Sequence, residues 1–422
     1  MDLHDDKPTL LFVGGARAVS LSTDMAVRAL RQAHDRGIRT HVTNPAEVLE
    51  HTPAVVAAAD EVTAVGFVPF EQTVRLAREL VAAGARVDAV FALQEMAQVA
   101  VAETAAAVGA AGNPPEVIRC IRTKDRCRAT LAAAGFPQPT VRVCAGPGEA
   151  AAFLRESTGP WIVKPRDAMG SIGVSQIRSA ADLPAAVDLL PGPGPFLVEE
   201  YVDGPEFSVE GVFLGGQPRI LAITAKEKVA PPYFVEVGHA LPADLPAERR
   251  AEIEDQVTAA LTTLGMRAGG FHVELWLTDA GVVLGEVHGR FGGDWIHTML
   301  AYAVEDLQLF GLVFDDLLAR PVAARSLTPT RGAAVRYLTP PPGRLTAVHG
   351  WPELLTHPAV LYAELTVAPG DVIAPLRRSS DRVGVVVVGA ESTAAAQSLA
   401  RELADTVHFV TEAAEAVAAP RP

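Results

Sequence analysis

The sequence predicts a multidomain protein of α/β and α+β class. A doubly wound parallel sheet comes first, a two-lobed mixed centre next, and a small α+β region last. Three observations carry this expectation. Strand and helix signals alternate through the first quarter of the chain, the pattern of a parallel sheet with crossover helices. Near residue 115 the texture changes to short strands joined by Gly- and Pro-bearing turns. Between Phe271 and Arg290, one hairpin gathers glutamates and histidines on a single side. At 422 residues the chain is also longer than one ordinary core supports.

The elements follow in order. Residues 9–13 form a compact apolar strand, and Gly14-Gly15 then suit a tight strand-to-helix turn rather than a GxGxxG phosphate loop. A helix follows over 23–36. Segments 39–43, 61–66 and 87–92 read as buried strands, with helices over 70–83 and 94–108. Thr123 is placed to cap a helix ending at Ala134, which Gly135, Pro137 and Pro139 close. Strands 161–164 and 173–177 flank a glycine-bearing loop. A helix over 180–190 meets the stiff turn Pro191-Gly-Pro-Gly-Pro195, and a strand over 196–201 leaves it. Strands 206–214 and 219–225, an amphipathic helix 247–264, the hairpin and a helical region 295–318 complete the centre. The tail has strands 333–338, 361–367 and 383–388 and a closing helix 393–406. The expected domains are 1–114, 115–195, 196–325 and 326–422.

Composition narrows the function. Apolar residues make up 49% and charged residues 20%, as in a soluble globular protein. A net charge of −14 argues against nucleic acid as a partner, although a local group of lysines can still take a small anion. The acidic start Met1-Asp-Leu-His-Asp-Asp-Lys7 does not read as a signal peptide. No apolar run approaches the roughly 18 residues of a membrane span, so no membrane partner is expected. Three cysteines without a CxxC pair fit a reduced, cytoplasmic setting.

The hairpin carries the chemistry. Taking Asp279-Ala280-Gly281 as a three-residue loop pairs Thr278 with Val282. Glu274 then lies opposite Glu286, His272 opposite His288, and Trp276 opposite Leu284, all on one face. Phe271, Val273, Leu275, Leu277, Val283 and Val287 take the core face. Two like charges about 5 Å apart across a strand pair repel. A bound cation would offset that repulsion, and hard oxygen donors favour Mg2+ or Mn2+. Arg290 adds a fixed positive charge at the same rim.

Other pieces are weaker singly. Lys164 stands at a strand end before a loop containing Gly170, Ser171 and Gly173, which could lay backbone N–H groups over phosphates. Glu199, Glu200, Tyr201 and Val202 break the polarity of a strand, and Glu206 follows. Lys124 opens a helix, where a cation opposes the dipole unless an anion is near. Glu236-Val-Gly-His239 reads as a loop between prolines, with His239 more often a surface histidine than a ligand.

Together, Lys124, Lys164 with its glycine loop, Glu199–Glu206, Glu274, Glu286 and Arg290 resemble the ATP-grasp superfamily over about residues 1–320. The best match is to its carboxylate–amine ligases of the L-amino acid ligase (dipeptide synthetase) type. Pro369-Gly370-Asp371 and Ser380-Asp381-Arg382 look like that subgroup's C-terminal domain. The resemblance implies a Rossmann-like pre-ATP-grasp domain, a two-lobed ATP-grasp core and a small C-terminal domain. It implies that Lys124 and Lys164 hold ATP phosphates under a flap of Ala168, Met169, Gly170, Ser171 and Gly173. Glu199, Glu200, Tyr201 and Val202 would meet the adenine and Glu206 the ribose. Glu274 and Glu286 would hold magnesium. Arg290, with Lys164, would serve phosphoryl transfer. Glu236, His239, His288, Arg290, Gly293 and Asp294 would face a carboxylic acid and an amine, amino acids by analogy. Relatives of this type are often homodimers. One departure stands out: His288 occupies the place where the superfamily usually has Asn.

The physical logic agrees. A carboxylate acylates poorly because its leaving group would be oxide. Phosphorylation by ATP gives an acyl phosphate that an amine can attack, a step that needs positioned cations more than covalent help. Three alternatives stand beside this: an ATP-grasp carboxylase or formate-dependent transferase, a transition-metal enzyme using His272, Glu274, Glu286 and His288, and a non-catalytic nucleotide-binding module, which would keep Lys164 and lose the acids that this chain retains.

Overall fold

The computed structural model describes residues 7–167, 170–322 and 326–412. Its N-terminal sheet is parallel throughout. Thr9–Val13 lies between Arg39–Asn44 and Ala89–Phe91, and Glu61–Ala64 forms the outer edge. Helices Ser20–His34 and Glu71–Ala82 cross between these strands, and Gln98–Val108 follows the last of them. Gly14 and Gly15 both take positive φ, and a Cβ on either would come within 2.9 Å of Phe67 or Val42. The turn is glycine because the chain reverses against packed side chains.

A second, antiparallel sheet orders its strands as Val141–Cys144, Phe196–Glu200, Trp161–Pro165 and Ser175–Ile177. It has its own core around Phe153, Trp161, Val163 and Phe196. Opposite it stands the largest sheet, eight antiparallel strands in the order Gly281–His288, Gly270–Thr278, Glu206–Leu214, Gln217–Lys228, Glu236–Leu241, Gly332–Leu338, Gly384–Ala390 and Val360–Leu365. The sheet therefore runs unbroken from the central region into the C-terminal one. A small sheet of Val372–Ile373, Gly343–His349 and His408–Glu412 lies beyond it.

Helices Ile296–Ala303 and Leu309–Leu317 replace the single helical region expected over 295–318. They join the N-terminal sheet to the large one: Phe12, Phe310, Phe314, Val335 and Val387 share one buried cluster. Burying an aromatic of this kind contributes about 1.5–3 kcal/mol each, so this layer fixes how the N-terminal domain meets the site. Among the described residues no helix is long and apolar enough to cross a membrane.

Two expectations are corrected here. Glu236–Leu241 is not a loop but a strand paired on both sides, with Gln217–Lys228 and Gly332–Leu338. Its flanking prolines misled: Pro231-Pro232 and Pro242 bound the strand rather than interrupt it.

The hairpin register also differs. Thr278 pairs with Gly281, Trp276 with Val283 and Leu275 with Leu284, so the loop is two residues long. A bulge then sets Gly285 and Glu286 against the single residue Glu274, after which Val273 pairs with Val287 and His272 with His288, as expected. The bulge turns Leu284 and Val282 to the core and Val283 away from it, the reverse of the sequence expectation. Gly285 permits this because a Cβ there would lie 2.9 Å from the Glu274 carbonyl oxygen.

Candidate active site

A cavity of about 180 Å3 lies between the small antiparallel sheet and the large one. Ile162, Lys164 and Pro165 come from the strand Trp161–Pro165, and Glu199 to Val202 from the end of Phe196–Glu200 and its exit. Gly170, Ser171, Ile172 and Val174 close one side. Lys228, Phe234 and Glu236 close another, with the rings of Tyr201 and Phe234 6.0 Å apart. The floor is Glu274, Trp276, Glu286, His288 and Arg290 from the hairpin, and Lys124 enters from the first position of the helix Lys124–Ala133. Strand alternation explains the floor: the residues between these glutamates and histidines belong to the core beneath.

Cations and carboxylates interlock at one end. Lys164 Nζ lies 2.8 Å from Glu199 Oε1 and 3.7 Å from Glu286 Oε1. Lys124 Nζ lies 3.3 Å from Glu286 Oε2. Burial alone would raise the Glu286 carboxyl, but Lys124 and Lys164 overrule it and hold it at about 2. Glu199 is buried and also lowered: burial opposes, while Arg128 and Lys164 favour the anion.

Glu274 is ionised for a similar reason. Burial works against its charge, while Lys226, 3.3 Å away, and His272, 3.2 Å away, hold it well below the usual carboxylate range. Glu274 and Glu286 thus present two anionic carboxylates to one cavity, and the charge of Glu274 works against that of Glu286. Two hard oxygen donors fit a Mg2+ or Mn2+ ion that takes its remaining ligands from phosphates and water. They do not fit a transition-metal cage. Among the described residues no three His, Cys, Asp or Glu side chains converge to hold an ion. His272 shows why: burial would lower its pKa, but the Glu210 carboxylate 2.9 Å away lifts it to about 9. As an imidazolium it donates to Glu210 and Glu274 and has no lone pair for a metal.

Lys226 links the floor to the far end. Burial opposes its charge, yet Glu206 at 2.7 Å, Glu274 at 3.3 Å and Glu236 at 3.2 Å raise its pKa well above the ordinary value. Glu206 also pairs with Lys228, so its carboxylate is engaged from two sides.

Beyond Glu236 stands a closed cluster. Asp294 accepts from His239 Nε2 at 2.9 Å, from the Tyr337 hydroxyl at 2.8 Å, and from Arg382 through Nη1 and Nη2 at 3.1 and 3.0 Å. Arg382 also donates to the Glu236 carbonyl and packs over the Tyr337 ring. Asp294 and Trp295 both take the left-handed conformation, with φ of 49° and 61°, so these contacts hold a strained turn. Burial would raise the Asp294 carboxyl; Arg382 and His239 keep it well below its usual range.

At the opposite rim Glu95, from the N-terminal domain, is buried. It takes Arg290 Nε at 2.6 Å, Arg122 Nη1 at 2.9 Å and His288 Nδ1 at 3.1 Å.

Of the residues singled out from sequence, Lys124, Lys164, Gly170, Ser171, Glu199, Glu200, Tyr201, Val202, Glu206, Glu236, Glu274, Glu286, His288 and Arg290 all line the one cavity. Gly173 stands at the foot of the same loop, against Leu189 and Pro191. Ala168 and Met169 lie outside the described residues. His239 and Asp294 meet each other in the neighbouring cluster, and His239 is buried rather than at the surface. Gly293 has open space around its Cα. Sequence reasoning missed Glu95, Arg128, Lys226, Lys228 and Tyr337, and did not give Arg382 a place in the site. Lys226 and Lys228, two apart on a strand, share one face and were legible in principle. Glu95 and Arg128 reach the site only through tertiary packing.

Comparison with known proteins is consistent with this geometry. Residues 157–299 match the ATP-grasp domain, and residues 336–412 match the L-amino acid ligase C-terminal domain 2. An uncharacterized protein, y4rH, of Sinorhizobium fredii is 30% identical over 314 residues, which cover 71% of this chain and 63% of that protein. Human carnosine synthase 1 is 27% identical over 288 residues, 61% of this chain and 33% of that one. The chain thus spans less than two thirds of the length of these relatives. The crystal structure of an L-amino acid ligase from Bacillus licheniformis superposes with a TM-score of 0.80 at 22% identity, covering 96% of this chain and 99% of that one, a likeness of fold. The chain carries an ATP-grasp domain over residues 157–299 and an L-amino acid ligase C-terminal domain over residues 336–412.

Proposed function

We propose that this protein is an ATP-dependent carboxylate–amine ligase. It would join an amino acid or similar carboxylic acid to an amine through an acyl phosphate, releasing ADP and phosphate. The observation that carries this reading is the convergence of Lys124, Lys164, Glu274, Glu286 and Arg290 on one cavity closed by a glycine loop.

The chain's own groups have separable tasks. Lys164 and Lys124 attract the phosphates, and the 170–173 segment covers them, excluding water that would hydrolyse the acyl phosphate. Backbone groups of Glu199 to Val202 edge the base, and Glu206, oriented by Lys226 and Lys228, faces the ribose. Glu274 and Glu286 would hold a magnesium ion, which when bound neutralises charge between the phosphates. Arg290, fixed by Glu95, steadies the transferring phosphoryl group and the acyl phosphate oxygen. His288 and Glu236 line the path of the two organic substrates, with His239, Gly293 and Asp294 behind them.

The division 1–114, 115–195, 196–325 and 326–422 belongs to this proposal; its last limit separates strands of one sheet rather than two sheets. Cytoplasmic residence and a homodimeric state belong to it as well. The decisive experiment is a phosphate-release screen of the purified protein with ATP, magnesium and a matrix of amino-acid pairs. Release that requires two amino acids supports the ligase. Release that requires bicarbonate or formate instead selects an ATP-grasp carboxylase or formate-dependent transferase.

A further inference from the structure

Arg128 lies on the helix Lys124–Ala133, one turn after Lys124, and is only 2% exposed. Among the described residues its one ionic partner is Glu199, at 3.2 Å between Nη2 and Oε2. None of its three side-chain nitrogens makes a well-oriented hydrogen bond to a protein group. A guanidinium so placed loses its hydration for a single contact, and an apolar side chain of similar volume would fill the space as well. Packing does not explain the choice of arginine.

The other oxygen of Glu199 offers an explanation. It lies 2.8 Å from Lys164 Nζ, the amine on the cavity wall. With Lys164 as its only counter-charge, Glu199 would cancel that lysine. Glu286, 3.7 Å from the same amine, would cancel it further. A second positive charge behind Glu199 changes the balance: Arg128, Glu199 and Lys164 together carry one net positive charge, and of the two cations only Lys164 lines the cavity, beside Glu199.

We propose that Arg128 is a positioning residue that neutralises Glu199 from behind, so that Lys164 presents an uncancelled positive charge to the phosphates of a nucleotide. The inference rests on the nucleotide reading above. It requires that Arg128 act on phosphates alone and leave the base and sugar untouched.

The test is calorimetric binding of ATP with magnesium, and separately of adenosine, to the full chain. Arg128→Met keeps the volume and leaves Glu199 paired with Lys164, so the fold is expected to persist, checked by thermal melting. Its ATP affinity should fall about tenfold or more, with adenosine affinity within about twofold of wild type. The double variant Arg128→Met with Glu199→Gln restores the net charge and should recover most of the ATP affinity. Arg128→Lys, which keeps the charge if Arg128→Met fails to fold, should bind ATP nearly as wild type does. Undiminished ATP binding by Arg128→Met, equal losses for ATP and adenosine, a double variant as weak as the single one, or an Arg128→Lys variant that loses tenfold would each overturn the inference alone. A wild-type chain that binds neither ligand would overturn the nucleotide reading with it.

Discussion

Lys164 and Asp294 are both ion-paired and both sit beside the same cavity, yet their charges are used differently. Lys164 turns its amine to the cavity, with Glu199 at 2.8 Å and Glu286 at 3.7 Å. Asp294 receives four donors from three residues and keeps no oxygen for a ligand. The difference teaches how to read buried charge. A charge that lines a cavity is available to bind, whereas one saturated by neighbours fixes a shape. Asp294 fixes the strained turn after Arg290, and it does so with Arg382 from the C-terminal region.

The phosphate end should be the easier one to break. Glu286→Gln removes one of two anionic oxygen donors and takes one carboxylate away from Lys124 and Lys164, the latter keeping Glu199. Substrate-dependent ADP formation should fall about a thousandfold or more, with the melting temperature nearly unchanged. Turnover within a few fold of wild type would refute the assignment of Glu286 to the metal.

At the closed end the loss should be smaller and of another kind. Arg382→Lys keeps the charge but cannot donate both hydrogen bonds to Asp294. A hydrogen bond to a charged group contributes about 1.5–3 kcal/mol, so KM for the organic substrates should rise roughly ten- to a hundredfold. ATP affinity, measured by calorimetry, should hold. A loss of ATP affinity equal to the loss in KM would erase the distinction between the two ends.

Much of this was legible in the sequence, and what was not has identifiable causes. Periodicity and turn residues revealed the parallel N-terminal sheet, because Thr9–Val13 is a short apolar run between Pro8 and Gly14 and strand signals then alternate with helical ones. The hairpin was legible as a hairpin, and its His272–His288 pairing held. Its bulge was not, because Gly285 reads as an ordinary strand glycine until the approach of the Glu274 carbonyl is known. The strand Glu236–Leu241 was hidden by the prolines around it. Glu95 and Arg382 come from opposite ends of the chain and meet the site through packing, which local pattern cannot encode. The comparison predicts a moderate effect at the bulge itself. Gly285→Ala would force its Cβ against Glu274 and cost about 1–3 kcal/mol, read as a lower melting temperature. An unchanged melting temperature would show that the bulge tolerates a side chain.

The subtlest prediction concerns Glu95, which resembles Asp294 in being saturated and resembles Lys164 in touching the catalytic rim. Burial would raise its carboxyl, and His288, Arg290 and Arg122 overrule that, leaving it well below the usual value of about 4.5. A depressed carboxylate stabilises the fold above its unfolded pKa, and that stability is lost as pH falls from about 4.5 through the folded value. Over that window the unfolded chain binds one more proton, so stability drops by about 1.4 kcal/mol per pH unit on account of this group. Glu95→Gln should remove that contribution, so urea unfolding of the variant should show a shallower acid limb below about pH 4.5. If Glu95 acts on Arg290 as Asp294 acts on its turn, the same variant should also lower kcat more than it changes ATP affinity. Equal acid limbs would place Glu95 outside the ionised network, and an unchanged kcat would leave Arg290 positioned by the Phe291 carbonyl it also meets.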